Sequence, residues 1–212
     1  SAHECGIRFE AGPNTFLQVN RNVCRKLYER CAKYAAESGA HVAVDAYSGG
    51  GLLTAMLAKQ LGKAYGIESV REAVECADEL VEANKLEGRV TNLCGRVEDR
   101  LPELLRYLNG QDVFLVCDPP RKGIDRATVR AILGSGIRTV AIISCNPATM
   151  ARDVVILTGA LTEQDGELKK NAAYTAEGLD GYYRIVSVQP FDMFPQTKHV
   201  ETLVCLERKR LK

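Results

Sequence analysis

The chain has 212 residues, enough for one well-buried α/β domain or two small ones. Hydrophobic residues make up 46% and charged residues 26%, the proportions of an ordinary globular protein, with no apolar run long enough for a membrane span and no signal-peptide pattern at the start. A formal net charge of +1 excludes a strong overall footprint for nucleic acid or membrane, so any polyanion must be held by local patches or by a part of the protein outside this sequence.

Phe16-Leu-Gln-Val-Asn20 leads into a helix reaching about Ser38, with Val19, Val23, Leu27, Cys31 and Tyr34 at helical spacing and Gly39 as the stop. Residues 1–40 form a helical lead-in, and Ser1-Ala2-His3 reads either as an added remnant or as a cut end, with room for the native chain to extend upstream. His41 to Asp45 is a strand, followed by the turn Ala46-Tyr-Ser-Gly-Gly-Gly51 and a helix over Leu52 to Leu61. Lys63 to Glu68 is the second strand, with Ser69 as cap of a helix whose face is Ala73, Val74, Ala77, Leu80 and Val81. Arg89 to Leu93 is a third strand, and Pro102 to Leu108 lies in a short helix.

Asp112 to Cys117 is the fourth strand and ends in Asp118-Pro-Pro-Arg-Lys-Gly123. A helix around Ala127 to Leu133 precedes a fifth, buried strand at 139–144, and a further helix ends near Leu157. Residues 158–181 are polar and glycine-spotted, an extended surface insertion. Tyr182 to Val188 and His199 to Leu206 pair as an antiparallel hairpin at the sheet edge, and Glu207 to Lys212 is a solvated charge run. The alternation predicts one α/β domain over 1–212: a mostly parallel, doubly wound, seven-stranded sheet with a C-terminal antiparallel hairpin.

Cys145 sits at the joint of the fifth strand and the next helix, whose opening is marked by Asn146 as cap and Pro147 at the first position. A thiol there lies beside the positive end of a helix dipole, which favours the nucleophilic thiolate; a small buried cysteine is the plainer reading. The eight cysteines show no C-x-x-C pair and no metal-ligand spacing, and read as reduced thiols of a cytoplasmic protein.

Ligands of open α/β sheets bind beyond the carboxyl ends of the strands. The turn after the first strand carries Gly49 and Gly51, where a backbone must approach a ligand closely, and Glu68 ends the second strand, where a carboxylate accepts ribose hydroxyls. A solvated strand end is the alternative for Glu68. Thr54 stands where a dinucleotide fingerprint needs its third glycine, and Asp45 suits the positive amino-acid end of S-adenosylmethionine; both argue against a nicotinamide cofactor.

Asp118 ends the fourth strand in a turn stiffened by two prolines, and Glu201, near the start of an antiparallel strand, belongs at the same edge. A thiolate, a carboxylate and a methyl-donor pocket on one rim suit methyl transfer to a pyrimidine carbon, with a base to take the C5 proton. In amino-methyltransferases a D-P-P turn is followed by an aromatic residue; here Arg121 follows. Arg121 and Lys122 are either a phosphate contact or a solvated pair.

At these residues the chain resembles the RNA (uracil-5-)-methyltransferases that make 5-methyluridine in tRNA and rRNA. The resemblance runs through Phe16 to Asn20, the turn at 45–51, Asp118-Pro-Pro-Arg-Lys-Gly123, Ser144-Cys-Asn-Pro147 and Phe194-Pro-Gln-Thr-Lys-His-Val-Glu201. It implies a Rossmann-like class I methyltransferase domain, Cys145 as nucleophile, Glu201 as base, and Gln18, Tyr47, Glu68 and Asp118 around S-adenosylmethionine. Its partner is an RNA whose target base is flipped out of the stack, with no membrane and no metal cluster. Members often carry an N-terminal β-barrel that grips RNA, which this sequence lacks. Leu52 stands where they place Asn or Thr against the cofactor. An amino-methyltransferase acting through Asp118 and a module that binds S-adenosylmethionine or RNA without turnover remain as rivals.

Overall fold

The structure is a computed structural model that describes residues 2–4, 6–9, 20–193 and 200–209. In chain order the elements are β1 (Ala2–Glu4), β2 (Ile7–Phe9), α1 (Arg21–Glu37), β3 (Val42–Ala46), α2 (Leu52–Leu61), β4 (Lys63–Glu68), α3 (Arg71–Ala83) and β5 (Val90–Cys94). There follow α4 (Val97–Tyr107), β6 (Val113–Cys117), α5 (Arg126–Gly134), β7 (Thr139–Ser144), α6 (Pro147–Leu157), β8 (Leu161–Gln164), β9 (Glu167–Lys170), β10 (Tyr183–Phe191) and β11 (Glu201–Arg208).

Seven strands form one sheet in the order β10-β11-β7-β6-β3-β4-β5. The five from β5 to β7 run parallel, while β11 enters antiparallel to β7 and β10 antiparallel to β11. Fully buried apolar runs such as Val113–Cys117 fit strands covered on both faces. Strand alternation divides the core. Ala43, Phe114, Val116, Ala141, Ile143, Leu203 and Cys205 pack with α1 and α2, whereas Val44, Ala46, Leu115, Cys117, Ile142 and Val204 pack with α4, α5 and α6. The expected mostly parallel, doubly wound sheet with its C-terminal hairpin is thus the observed one.

Helix α1 begins where Asn20 accepts a hydrogen bond from the Val23 N–H, and it buries Leu27, Cys31 and Tyr34 as the spacing predicts. Other boundaries shift for visible reasons. Val70, not Ser69, is the cap residue of α3, because the Ser69 hydroxyl donates to Glu68 instead. Helix α4 starts at Val97 and holds Pro102 inside it, since Val97, Leu101 and Leu104 share one buried face. The short helix expected over Pro102 to Leu108 is thus the second half of a longer one.

Three segments differ in kind. Residues 2–4 and 7–9 form a small hairpin, and β2 docks on the end of α3 through Asn84, which both donates to and accepts from the Arg8 backbone. The first half of the 158–181 insertion folds as the β8–β9 hairpin. Its turn is Asp165-Gly166, both at positive φ, a two-residue hairpin signal legible in the sequence but not drawn from it. Glu163 on that hairpin pairs with Arg126 and Arg130 of α5. Finally, Arg208 is not a solvated tail residue: it ends β11, lies 4.6 Å from the Tyr183 ring, and donates to the carbonyls of Ile132, Leu133, Ile137 and Gly181.

Candidate active site

The carboxyl ends of β3, β4, β6 and β7 open on one edge, and β11 begins there because it runs the other way. Thr202 pairs with Ser144, so the same register carried one residue further sets Glu201 opposite Cys145. Alternation also decides the face. Leu203 and Ile143 point toward α1 and α2, which gives Glu201 and Cys145 that side as well. Asp45, between Val44 and Ala46 of the other face, points the same way, as does Asp118, one residue past Cys117.

The first turn is built for close approach. Gly51 lies at φ +80°, and a Cβ there would fall 2.8 Å from the Ala77 Cβ, so the turn rests directly on α3. Gly66 has no room for a Cβ either, with Ser48 Oγ 2.8 Å and Asn92 Oδ1 2.9 Å from that position. Gly49, at φ +51°, has nothing within 4 Å, which leaves the outer side of the turn bare. Glu68 pins it: Oε2 accepts the Gly49 N–H at 3.0 Å and Oε1 the Val70 N–H at 2.8 Å. Glu68 is therefore tied into the turn rather than being a free strand end.

Asp45 is 1% exposed and accepts a 2.6 Å hydrogen bond from the Thr54 hydroxyl. Burial pushes its carboxyl up to about 7; the Thr54 bond opposes the shift and the Glu68 charge adds to it. Asp118, partly exposed, is held well above the carboxylate range by lost solvation and by the charges of Glu201 and Asp45. Glu201 is 7% exposed, and burial raises its carboxyl as well. Among the described residues no ion pair reaches any of the three. Three carboxyls without a cation, on one face of one edge, make a site that favours a positively charged ligand.

Cys145 is partly exposed at the strand–helix joint, where Asn146 caps α6 by accepting the Ala148 N–H at 3.1 Å. The structure thus brings Asp45, Glu68, Asp118, Cys145 and Glu201 to one edge. Tyr47 is left-handed, at φ +69°, and its ring packs with the α4–α6 side of the core. Gln18 lies outside the described residues, as do residues 194–199 of the motif before Glu201.

Two participants escape the sequence reading. Thr54, noted there only as a missing glycine, is the hydrogen-bond donor to Asp45. Tyr28 of α1 faces the same carboxyls: burial and the charges of Asp118 and Asp45 push its phenol well above its ordinary value. Its place on the helical stripe, one residue after Leu27, was the available signal.

Among the described residues no group of side chains has the makings of a metal site, and no helix is long and apolar enough to cross a membrane. The seven described cysteines are all free thiols.

No protein-family model matches the chain. It is 37% identical over 202 residues to an uncharacterized RNA methyltransferase of Caldanaerobacter subterraneus subsp. tengcongensis, covering 95% of this chain and 40% of that protein. An uncharacterized RNA methyltransferase of Enterococcus faecalis is 34% identical, with 95% and 39% covered. The chain therefore spans about two fifths of the length of the curated relatives it matches.

Among solved structures it is similar to the Pyrococcus abyssi tRNA (uracil-54, C5)-methyltransferase in complex with S-adenosyl-L-homocysteine. The TM-score is 0.71 and the identity 27%, over 93% of this chain and 41% of that one. A rather different relative in fold is the magnesium protoporphyrin IX methyltransferase of Synechocystis PCC 6803, at TM-score 0.61 and 12% identity, over 94% of this chain and 87% of that one. The fold is that of the class I methyltransferases.

Proposed function

We propose that this chain is the catalytic domain of an S-adenosylmethionine-dependent RNA methyltransferase that acts on C5 of a uridine through a covalent adduct on Cys145. The observation that carries the reading is a partly exposed thiol on the same sheet edge as three carboxyls that have no ion pair among the described residues, at the edge where this fold binds its ligands. The likeness to RNA methyltransferases and to the uracil-54 enzyme supports the substrate class.

The residues present fit the donor. The bare outer side of the turn at Gly49 leaves room for its adenosine part, and Glu68 retains acceptor capacity for ribose hydroxyls beyond the bonds that anchor it. Asp45 and Asp118 offer negative charge to its ammonium and sulfonium groups, which would return both carboxyls to their ionised state. Gly51, Gly49 and the Tyr47 backbone shape the turn, and Gln18 is assigned to the same pocket. When bound, S-adenosylmethionine supplies an electrophilic methyl group.

Cys145, once its thiol proton has passed to solvent, bonds as the thiolate through Sγ to C6 of the uracil, and the displaced C5–C6 π electrons make C5 nucleophilic. After C5 has gained the methyl group, the Glu201 carboxylate takes the C5 proton. The C–H electrons re-form the C5–C6 double bond, and the thiolate leaves. Glu201 is suited to this because burial raises its proton affinity above that of an ordinary glutamate.

The test is incubation of the chain with tRNA and rRNA carrying tritium at C5 of uridine, with and without S-adenosylmethionine. Donor-dependent tritium release with formation of 5-methyluridine is the expected result. Methylation at an exocyclic amine without tritium release would instead favour the amino-methyltransferase chemistry of Asp118-Pro-Pro.

A further inference from the structure

Past Cys117 and Ile142, the last paired residues of β6 and β7, no ladder bond holds these neighbouring strands together. Asp118 then turns away, its N–H donating to Ala46 of β3 at 3.3 Å. The relation between Asp118 and Cys145 therefore depends on something other than the sheet.

That support is the first two turns of α6. The loop leaving Asp118 gives its carbonyls to this helix: Arg121 O accepts from Asn146 Nδ2 at 3.0 Å and Thr149 Oγ1 at 3.2 Å, and Lys122 O from Arg152 Nη2 at 3.0 Å. Ile124 is held at both ends, its N–H donating to Asp153 Oδ2 at 2.8 Å and its carbonyl accepting from Arg152 Nη2 at 3.3 Å. Gly123, at φ +83°, rests against the same side chains, where a Cβ would fall 2.6 Å from Asp153 Oδ2 and 3.1 Å from the Thr149 Cβ. Asp153 itself is 1% exposed, and its Oδ1 accepts from Arg152 Nε at 2.9 Å and Nη2 at 2.6 Å.

We propose that Asn146, Thr149, Arg152 and Asp153 are positioning residues that set Asp118 against Cys145 by fastening the loop after the acid to the helix after the thiol. The proposal rests on the reaction given above, with Asp118 at the methyl donor and Cys145 as nucleophile. Reacting groups must be held to within a fraction of an ångström, and a brace of several bonds to a rigid helix does that. It also turns the carbonyls of Arg121 and Lys122 inward while both residues stay exposed beside the site.

The test uses the 212-residue chain and an RNA stem-loop containing 5-fluorouridine, whose C5 fluorine stops the reaction at the methylated adduct. The double variant Asn146→Ser/Thr149→Val removes both ties to Arg121 O, and serine still caps the helix. With S-adenosylmethionine affinity within about twofold of the parent and Tm within a few degrees, adduct formation should slow by about tenfold or more. Asn146→Ser/Thr149→Ser restores one hydroxyl donor and should recover part of the rate. An unchanged rate in the first double variant overturns the inference, and so does a loss shared equally by adduct rate, cofactor affinity and Tm, which marks a purely structural role. A parent chain that binds the donor but forms no adduct overturns the proposed reaction and this inference with it, whereas a reactive parent and an equally reactive variant sink only the brace.

Discussion

Thr202 of β11 pairs with Ser144 of β7, and this single antiparallel couple sets the two groups that follow it, Glu201 and Cys145, opposite one another at the rim of the sheet. The β7–β11 ladder ends at that couple, so both groups stand at the same rim, where one pyrimidine ring can lie against both. Residues far apart in the chain thereby become neighbours in a reaction.

Cys145→Ser should abolish the covalent RNA adduct while S-adenosylmethionine affinity stays within about twofold, because the thiol lies at the β7–α6 joint and the donor residues lie on β3, β4 and β6. Denaturing gel electrophoresis with 5-fluorouridine RNA and calorimetric titration of the donor measure the two effects. Persistence of the adduct in the variant would remove Cys145 as nucleophile.

Glu201→Gln keeps the size of a buried side chain and removes the base, so methylated adduct on ordinary RNA should accumulate and turnover should fall by about 100-fold or more. In the parent enzyme, burial raises this carboxyl, so activity should be lost as pH falls through a value above the usual glutamate range. A pH–rate profile of kcat locates that limb; a variant turning over at the parental rate contradicts the role.

Asp45 gives a stability signature. Its carboxyl moves from 3.8 to about 7 on folding, so the native state binds the proton more tightly than the unfolded chain. Its contribution is present in full below pH 4 and is lost as pH rises through about 7, on the order of 4 kcal/mol in all. Thermal melts of the donor-free chain should show Tm falling over that range, Asp45→Asn should flatten the fall, and S-adenosylmethionine should raise Tm most at neutral pH and above. A donor-induced rise that is the same in Asp45→Asn would separate this acid from the cation it is assigned.

Gly51→Ala places a Cβ 2.8 Å from that of Ala77 at a backbone angle alanine resists, and should cost about 1–3 kcal/mol together with donor affinity. Adding Ala77→Gly relieves the contact but not the left-handed strain, so rescue should be partial. Urea unfolding of the two variants separates the terms, and full rescue would show that φ +80° at this position is without cost.

Much of this molecule was legible from local chemistry. Asn20 and Asn146 announce helix starts because a side chain caps the N–H groups within its own turn, and runs such as Val113 to Cys117 announce strands because both faces are apolar. The Asp165-Gly166 hairpin was equally local and simply carried a signal left unread. What resisted reading was what a residue meets. Ser69 offers a cap but gives its hydroxyl to Glu68, and Arg208, in a run of charges, spends its guanidinium on four backbone carbonyls and the Tyr183 ring.

The α/β alternation, the glycine turn and the thiol at a helix start follow from the amino-acid order alone, since each depends on residues within a few positions of one another. Folding was needed to leave Asp45 without an ion pair among the described residues, to turn the Tyr47 ring toward α4–α6, and to carry Glu201 by strand register to the rim that holds Cys145. Those properties depend on burial and on strand register, which exist only once distant segments have been packed together.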